Sequence, residues 1–100
     1  MLKHIVLFSF KDAKRESNLE DVKKIKQELE ALPQKIDGLI SLHVVIEPES
    51  SSNRDLMLEC VLTDKEALSY YATHPEHVKV SQKIGEIMEN RTVIDYFLEH

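Results

Sequence analysis

Between Tyr71 and His77 the chain sets one phenol and two imidazoles within seven residues, Tyr71-Ala72-Thr73-His74-Pro75-Glu76-His77. Side chains of these types accept and donate protons near neutral pH, so the stretch points to acid–base work on a bound molecule. Pro75 disfavours an α conformation at His74 and suits the first position of a new helix. One helix should therefore end, and another begin, at this point. His77 then falls in the first turn of the second helix, where the positive end of the helix dipole keeps its ring neutral and able to accept a proton. His74, just before the proline, is expected to cap that helix, and it also counts with Tyr71 and His77 among the candidate ligand contacts.

The elements that would position these residues can be read from periodicity. Leu2 to Phe10 alternates, with Leu2, His4, Val6, Phe8 and Phe10 on one side and Ile5 and Leu7 on the other, so the strand needs cover on both faces. Lys11 to Asn18 is polar and reads as a loop. Leu19, Val22, Ile25, Leu29 and Leu32 recur at three- and four-residue intervals, which makes one apolar stripe on a helix ended by Pro33. A second strand spans Leu39 to Ile46, with Ile40, Leu42, Val44 and Ile46 expected on its inner face. A third spans Leu56 to Leu62, with Leu56, Leu58, Cys60 and Leu62 inward. Thr63 or Asp64 caps a short helix, Glu66 standing three residues after Thr63 as in a capping box. The helix from Pro75 should turn Val78, Ser81, Ile84, Ile87 and Met88 inward, and Arg91 to Leu98 forms the last strand. The order is βαββα(α)β. Right-handed crossovers then give a four-stranded, antiparallel-rich sheet with the first and third strands central and the helices on one face, a ferredoxin-like α+β sandwich.

Length and composition limit what such a fold can do. One hundred residues with 42% hydrophobic content and only two glycines and three prolines describe one domain, residues 1–100. A formal net charge of −5 argues against a nucleic-acid partner. No apolar run is long enough to cross a membrane, and the chain opens directly in a strand, so a cytoplasmic protein is expected. The single cysteine, Cys60, lies among Leu58, Val61 and Leu62 and reads as a buried, inert thiol. The helices cover one side of the sheet only, while Ile5, Leu7, Met57, Val61, Ile94 and Tyr96 would occupy the other. The economical solution is a two-fold homodimer, sheet against sheet, enclosing a barrel-like core.

The opening His4-Ile5-Val6-Leu7-Phe8-Ser9-Phe10-Lys11, the tract Tyr71 to His77 and the ending Val93-Ile94-Asp95-Tyr96 together resemble the stress-responsive A/B-barrel (Dabb) family of dimeric α+β barrels. The resemblance covers nearly the whole chain and implies a ferredoxin-like protomer in a sheet-to-sheet homodimer. Most members have no assigned reaction. One plant branch, typified by olivetolic acid cyclase, contains polyketide cyclases that close a ring by aldol condensation without a cofactor. The resemblance to that branch implies that Tyr71 and His77 carry acid–base work, with His4 and Asp95 near the pocket. This chain departs from the branch in having Leu56 where the cyclase has a histidine, and in having no tryptophan.

An aldol step needs a base for the proton alpha to a carbonyl and a donor for the developing oxyanion, and His77 and Tyr71 are of those types. His4, facing inward with Val6 and Phe8, would point into the same space, and Asp95 on the neighbouring strand could orient an imidazole. The candidate ligand contacts are thus His4, Phe8, Tyr71, His74 and His77, with Tyr71 and His77 as catalytic candidates supported by His4 and Asp95. The alternative is that Tyr71 and His77 are a hydrogen-bonded pair that closes a helix junction, with His4 a satisfied core residue. A metal set of His4, His74 and His77 is disfavoured because the break at Pro75 spoils ordinary helix-face spacing, so neither metal nor cofactor is expected. His43 and His100 are expected to face solvent. The function expected is the binding of a small organic molecule between sheet and helices by a homodimer. The alternatives are a cofactor-independent aldol-type enzyme, or a structural dimer with bulky Phe8, Phe10 and Phe97 filling the interior.

Overall fold

In the computed structural model, which describes residues 1–11 and 17–98, the elements follow the order β1 (Leu2–Phe10), α1 (Leu19–Glu30), a 3-10 turn (Leu32–Gln34), β2 (Leu39–Val45), β3 (Leu56–Leu62), α2 (Lys65–Thr73), α3 (Pro75–Ile87) and β4 (Met88–Phe97). Most of the expected Lys11–Asn18 loop, and His100, lie outside the described residues. The sheet order is β2-β3-β1-β4 with every neighbour antiparallel, so the first and third strands are central.

β1 and β3 alternate strictly, each buried side chain being followed by a half-buried one. Their inward residues join Val22, Ile25 and Leu29 of α1, Tyr71 of α2 and Ile84 of α3 in one core, which places the helices together on a single face. Pro33 enters the 3-10 turn after α1 has ended at Glu30, and Leu32 and Ile36 continue the apolar stripe into the core. Glu30 ties α1 to the sheet edge: its carboxylate accepts from Lys26 Nζ at 2.8 Å and from the Val44 backbone N–H at 3.0 Å. Burial resists its ionisation, but these bonds, Lys26 foremost, hold its pKa below the usual value.

Two inserted residues revise the expected faces. Between Leu39 and Ser41 the β2–β3 register slips by one, so Leu39 and Leu42 both point inward and Ile40, expected inside, is 50% exposed. A second slip separates the pairs Leu7–Thr92 and Ser9–Glu89, with Asn90 in the left-handed region at φ 58°. Asparagine tolerates that conformation better than most side chains. The extra residue reverses the alternation, which buries Met88 opposite Phe10 and leaves Glu89 in solvent; unbroken pairing would have done the opposite. Met88 thus opens β4, three residues before the expected strand start. In α3 the buried positions are Val80 and Ile84, not the expected Val78 and Ser81.

Candidate functional site

α2 begins at Asp64, whose carboxylate accepts from the Ala67 N–H at 2.8 Å; Thr63 is not the cap. One face of this helix is apolar, and Ala67 and Tyr71, one turn apart on it, are both buried. At His74 the backbone turns extended, φ −64° and ψ 133°, as the following proline requires, and α3 starts at Pro75. His74 Nδ1 accepts from the Glu76 N–H at 3.1 Å, while its carbonyl accepts from His77 and Val78 at 3.0 and 2.9 Å. The cap role expected of His74 is therefore present, and it commits the one ring nitrogen that faces its own helix.

The break folds His77 back over Tyr71, with ring centroids 4.2 Å apart and tilted by 38°. His77 Nδ1–H donates to the Ala72 carbonyl at 3.1 Å. A carbonyl can only accept, so this bond fixes the proton on Nδ1 and leaves Nε2 as the acceptor. The His77 pKa is lowered, as expected, but burial is the largest cause; the bond to Ala72 opposes it, and the neighbouring His4, Arg91 and His74 add to the lowering. Beneath Tyr71, His4 of β1 presents its edge at 6.1 Å and is only 7% exposed. Its Nδ1 lies 2.5 Å from Asp95 Oδ1, on the paired position of β4, and Cys60 stands opposite on β3. Leu42, Cys60, His4 and Asp95 thus form one row across all four strands.

The Tyr71 hydroxyl is buried and makes no hydrogen bond of adequate geometry. It lies near enough to the Cys60 thiol for the two to perturb one another without aligning as donor and acceptor. Burial first, and Cys60 second, push the phenol far above its usual range, and burial pushes the thiol up to about 12. Neither ionises near neutral pH, so Cys60 is an inert core thiol.

His4, Phe8, Tyr71 and His77 line one cavity of about 80 Å³ between the sheet and helices α2 and α3. Its remaining apolar wall includes Val6, Leu58, Leu68 and Ile84. Asp95 stands behind His4 and is not part of the wall. His74 is also outside it, stacked edge-on against Tyr70 at 5.4 Å. Phe10 is in the core and Phe97 is exposed, so neither fills the cavity. The sequence reading missed Arg91, which lines the cavity. Its signal was available, since alternation from Asp95 through Val93 puts Arg91 on the same face of β4. Larger hollows of about 350 and 230 Å³ lie between α1 and α3, but their charged walls are tied by ion pairs such as Lys83–Glu28 at 3.0 Å. Among the described residues no three His, Cys, Asp or Glu side chains converge as a metal site.

The sheet order, the helices on one face and the cavity between them define a ferredoxin-like α+β protein. The profile of the stress responsive A/B barrel domain (Dabb) matches residues 2–98, and the chain belongs to that family. It is similar to a dimeric, ferredoxin-like protein of unknown function from Bacteroides fragilis, with 32% identity and a TM-score of 0.89 over 97% of this chain and 95% of that one. A dimeric ferredoxin-like protein of unknown function from Thermobifida fusca superposes with a TM-score of 0.82 at 21% identity, covering 97% and 90% of the two chains. An antibiotic biosynthesis monooxygenase superposes over the full length of both chains, with a TM-score of 0.79 at 14% identity, which shows a shared fold only. No curated protein sequence matches the chain. Among the described residues no helix is long and apolar enough to cross a membrane.

Proposed function

We propose that this chain acts as a cytoplasmic homodimer, paired through the open face of its sheet, that binds a small organic molecule in the cavity of each protomer. The observation that carries the binding reading is the convergence of His4, Tyr71 and His77 on one apolar-walled cavity, with His77 neutral and its Nε2 unprotonated. The Tyr71 and His77 rings are in contact with each other, yet a cavity is left beside them, which a packed junction does not need and a binding site does. The dimer is supported by Ile94 and Tyr96, exposed on the same face as the half-buried Ile5, Leu7, Met57 and Val61, and by the dimeric neighbours. A screen of small aromatic and polyketide-like compounds by amide NMR tests the reading. Perturbation centred on Tyr71, Ala72 and His77 supports it. Spectra unmoved by every compound at millimolar concentration would leave a structural dimer without a ligand.

Cofactor-independent aldol chemistry is a second reading, and the neutral His77 favours it by supplying a base. Tyr71 would then be the proton donor, and its hydroxyl would have to leave the Cys60 side of the ring and enter the cavity. Turnover lost in both His77→Ala and Tyr71→Phe, with binding retained, would select this reading over simple binding.

A further inference from the structure

The polar groups in the cavity wall are two imidazoles, a serine hydroxyl and a guanidinium, from His4, His77, Ser81 and Arg91, while Tyr71 contributes its ring and keeps its hydroxyl on the Cys60 side. No carboxylate is among them, although the chain carries 18 acidic residues against 13 lysines and arginines. Of the two acids on β4 near Arg91, Glu89 is turned to solvent by the bulge and Asp95 is committed to His4. Arg91 makes no hydrogen bond or ion pair among the described residues, whereas Lys3, Lys23, Lys26, Lys79 and Lys83 are each bound to a glutamate. Arg91, Ser81 and Ala72 are the exposed members of the wall and so form its rim, while Val6, Phe8, Tyr71 and Leu58 form the buried floor.

We infer that the cavity takes a small organic acid, its carboxylate held by Arg91 at the rim and its ring or short chain laid on the apolar floor. This rests on the ligand-binding reading above and adds the charge and shape of the ligand. A planar guanidinium offers a carboxylate two parallel hydrogen bonds, which a lone ammonium cannot. The cationic rim also repels the amines and metal cations that the chain's overall negative charge would otherwise attract. A cavity of about 80 Å³ is far below the roughly 300 Å³ of a site for a drug-sized molecule, which limits the buried part to a single ring or a chain of a few carbons.

Benzoate, its neutral isostere benzamide and inorganic phosphate are the probes, titrated by NMR into the wild-type protein, Arg91→Gln and Arg91→Lys. Benzoate should bind the wild type at least tenfold more tightly than benzamide, and raising the salt to 0.5 M should weaken benzoate alone. Arg91→Gln should bring the two to equal affinity by weakening benzoate, while Arg91→Lys should restore part of the difference. Arg91 is exposed on an edge strand, so both variants should keep the wild-type melting temperature within a few degrees. Benzoate and benzamide binding equally well to the wild type would overturn the acid assignment and leave the cavity reading standing. Benzoate affinity unchanged in Arg91→Gln overturns the role of Arg91, and phosphate binding as tightly as benzoate overturns the organic acid. No binding of either aromatic probe overturns both readings.

Discussion

His4 and Asp95 face each other across β1 and β4, and Nδ1 of the imidazole lies 2.5 Å from Oδ1 of the carboxylate. A carboxylate can only accept, so Asp95 holds a proton on Nδ1 of a buried ring and fixes that ring's orientation. Replacing Asp95 by Ala removes the partner of a polar group that is only 7% exposed. A loss of about 1–3 kcal/mol in denaturant unfolding is expected. Nitrogen NMR of the imidazole should report a protonated Nδ1 in the wild type and a mixture of tautomers in Asp95→Ala. An unchanged tautomer in the variant would remove the orienting role from Asp95.

The lowered His77 pKa makes a prediction about acid. Because the folded value lies below the unfolded one of 6.5, the unfolded chain binds the extra proton first as the pH falls. Stability supplied by the neutral ring is complete above that value and declines below it. Glu30 contributes with the same sign but in a lower window, below its unfolded value of 4.5. Urea unfolding at pH 7.5 and 5.5 should show a larger loss for the wild type than for His77→Gln. Parallel losses in the two proteins would mean that His77 does not titrate differently on folding.

Gly38 has a backbone φ of +87°, and a Cβ built there would stand 2.7 Å from Ala67 Cβ. Both the left-handed backbone and the collision act against any other residue. Gly38→Ala should destabilise by about 1–3 kcal/mol, read from the midpoint of denaturant unfolding. Because Ala67 lies one turn before Tyr71 on the same face of α2, the variant should also shift the Tyr71 ring resonances. Pairing it with Ala67→Gly should recover the steric part only.

Ile94 is 60% exposed in the single chain and sits beside Ile5 on the open face. Ile94→Asp should convert a dimer to monomers in light scattering at micromolar concentration, since a carboxylate buried between two sheets would have no partner. A wild type that scatters as a monomer would end the sheet-to-sheet proposal.

The sequence revealed most where two signals agreed. Alternation in β1 and β3 is unbroken, so His4, Val6, Phe8 and Cys60 could be placed on the helix face without coordinates. Pro75 marked the helix break because its ring constrains both itself and His74. Failure came at single inserted residues. Leu39 and Ile40 are both apolar, so nothing in composition shows that the strand slips between them and turns Ile40 outward. Met88 follows Ile84 by four residues and therefore fits a helix stripe as well as a strand end; only the left-handed Asn90 decides it. Val78 and Val80 are the same residue type, so helical phase alone selected the wrong one. Arg91 went unnoticed because a charge at the start of an edge strand is ordinarily just wet, and the cavity it borders depends on how α3 packs.

Cys60 is 0% exposed, directly beneath Tyr71, and no other residue of the chain carries a thiol. Any reagent that modifies it must wait until helix α2 lifts from the sheet or the whole chain unfolds. The rate of thiol labelling under native conditions is consequently a clock for the opening of the floor of the cavity, started without mutation or attached probe. A molecule that occupies the cavity should slow that clock in proportion to its occupancy, even when it alters no spectrum and undergoes no reaction.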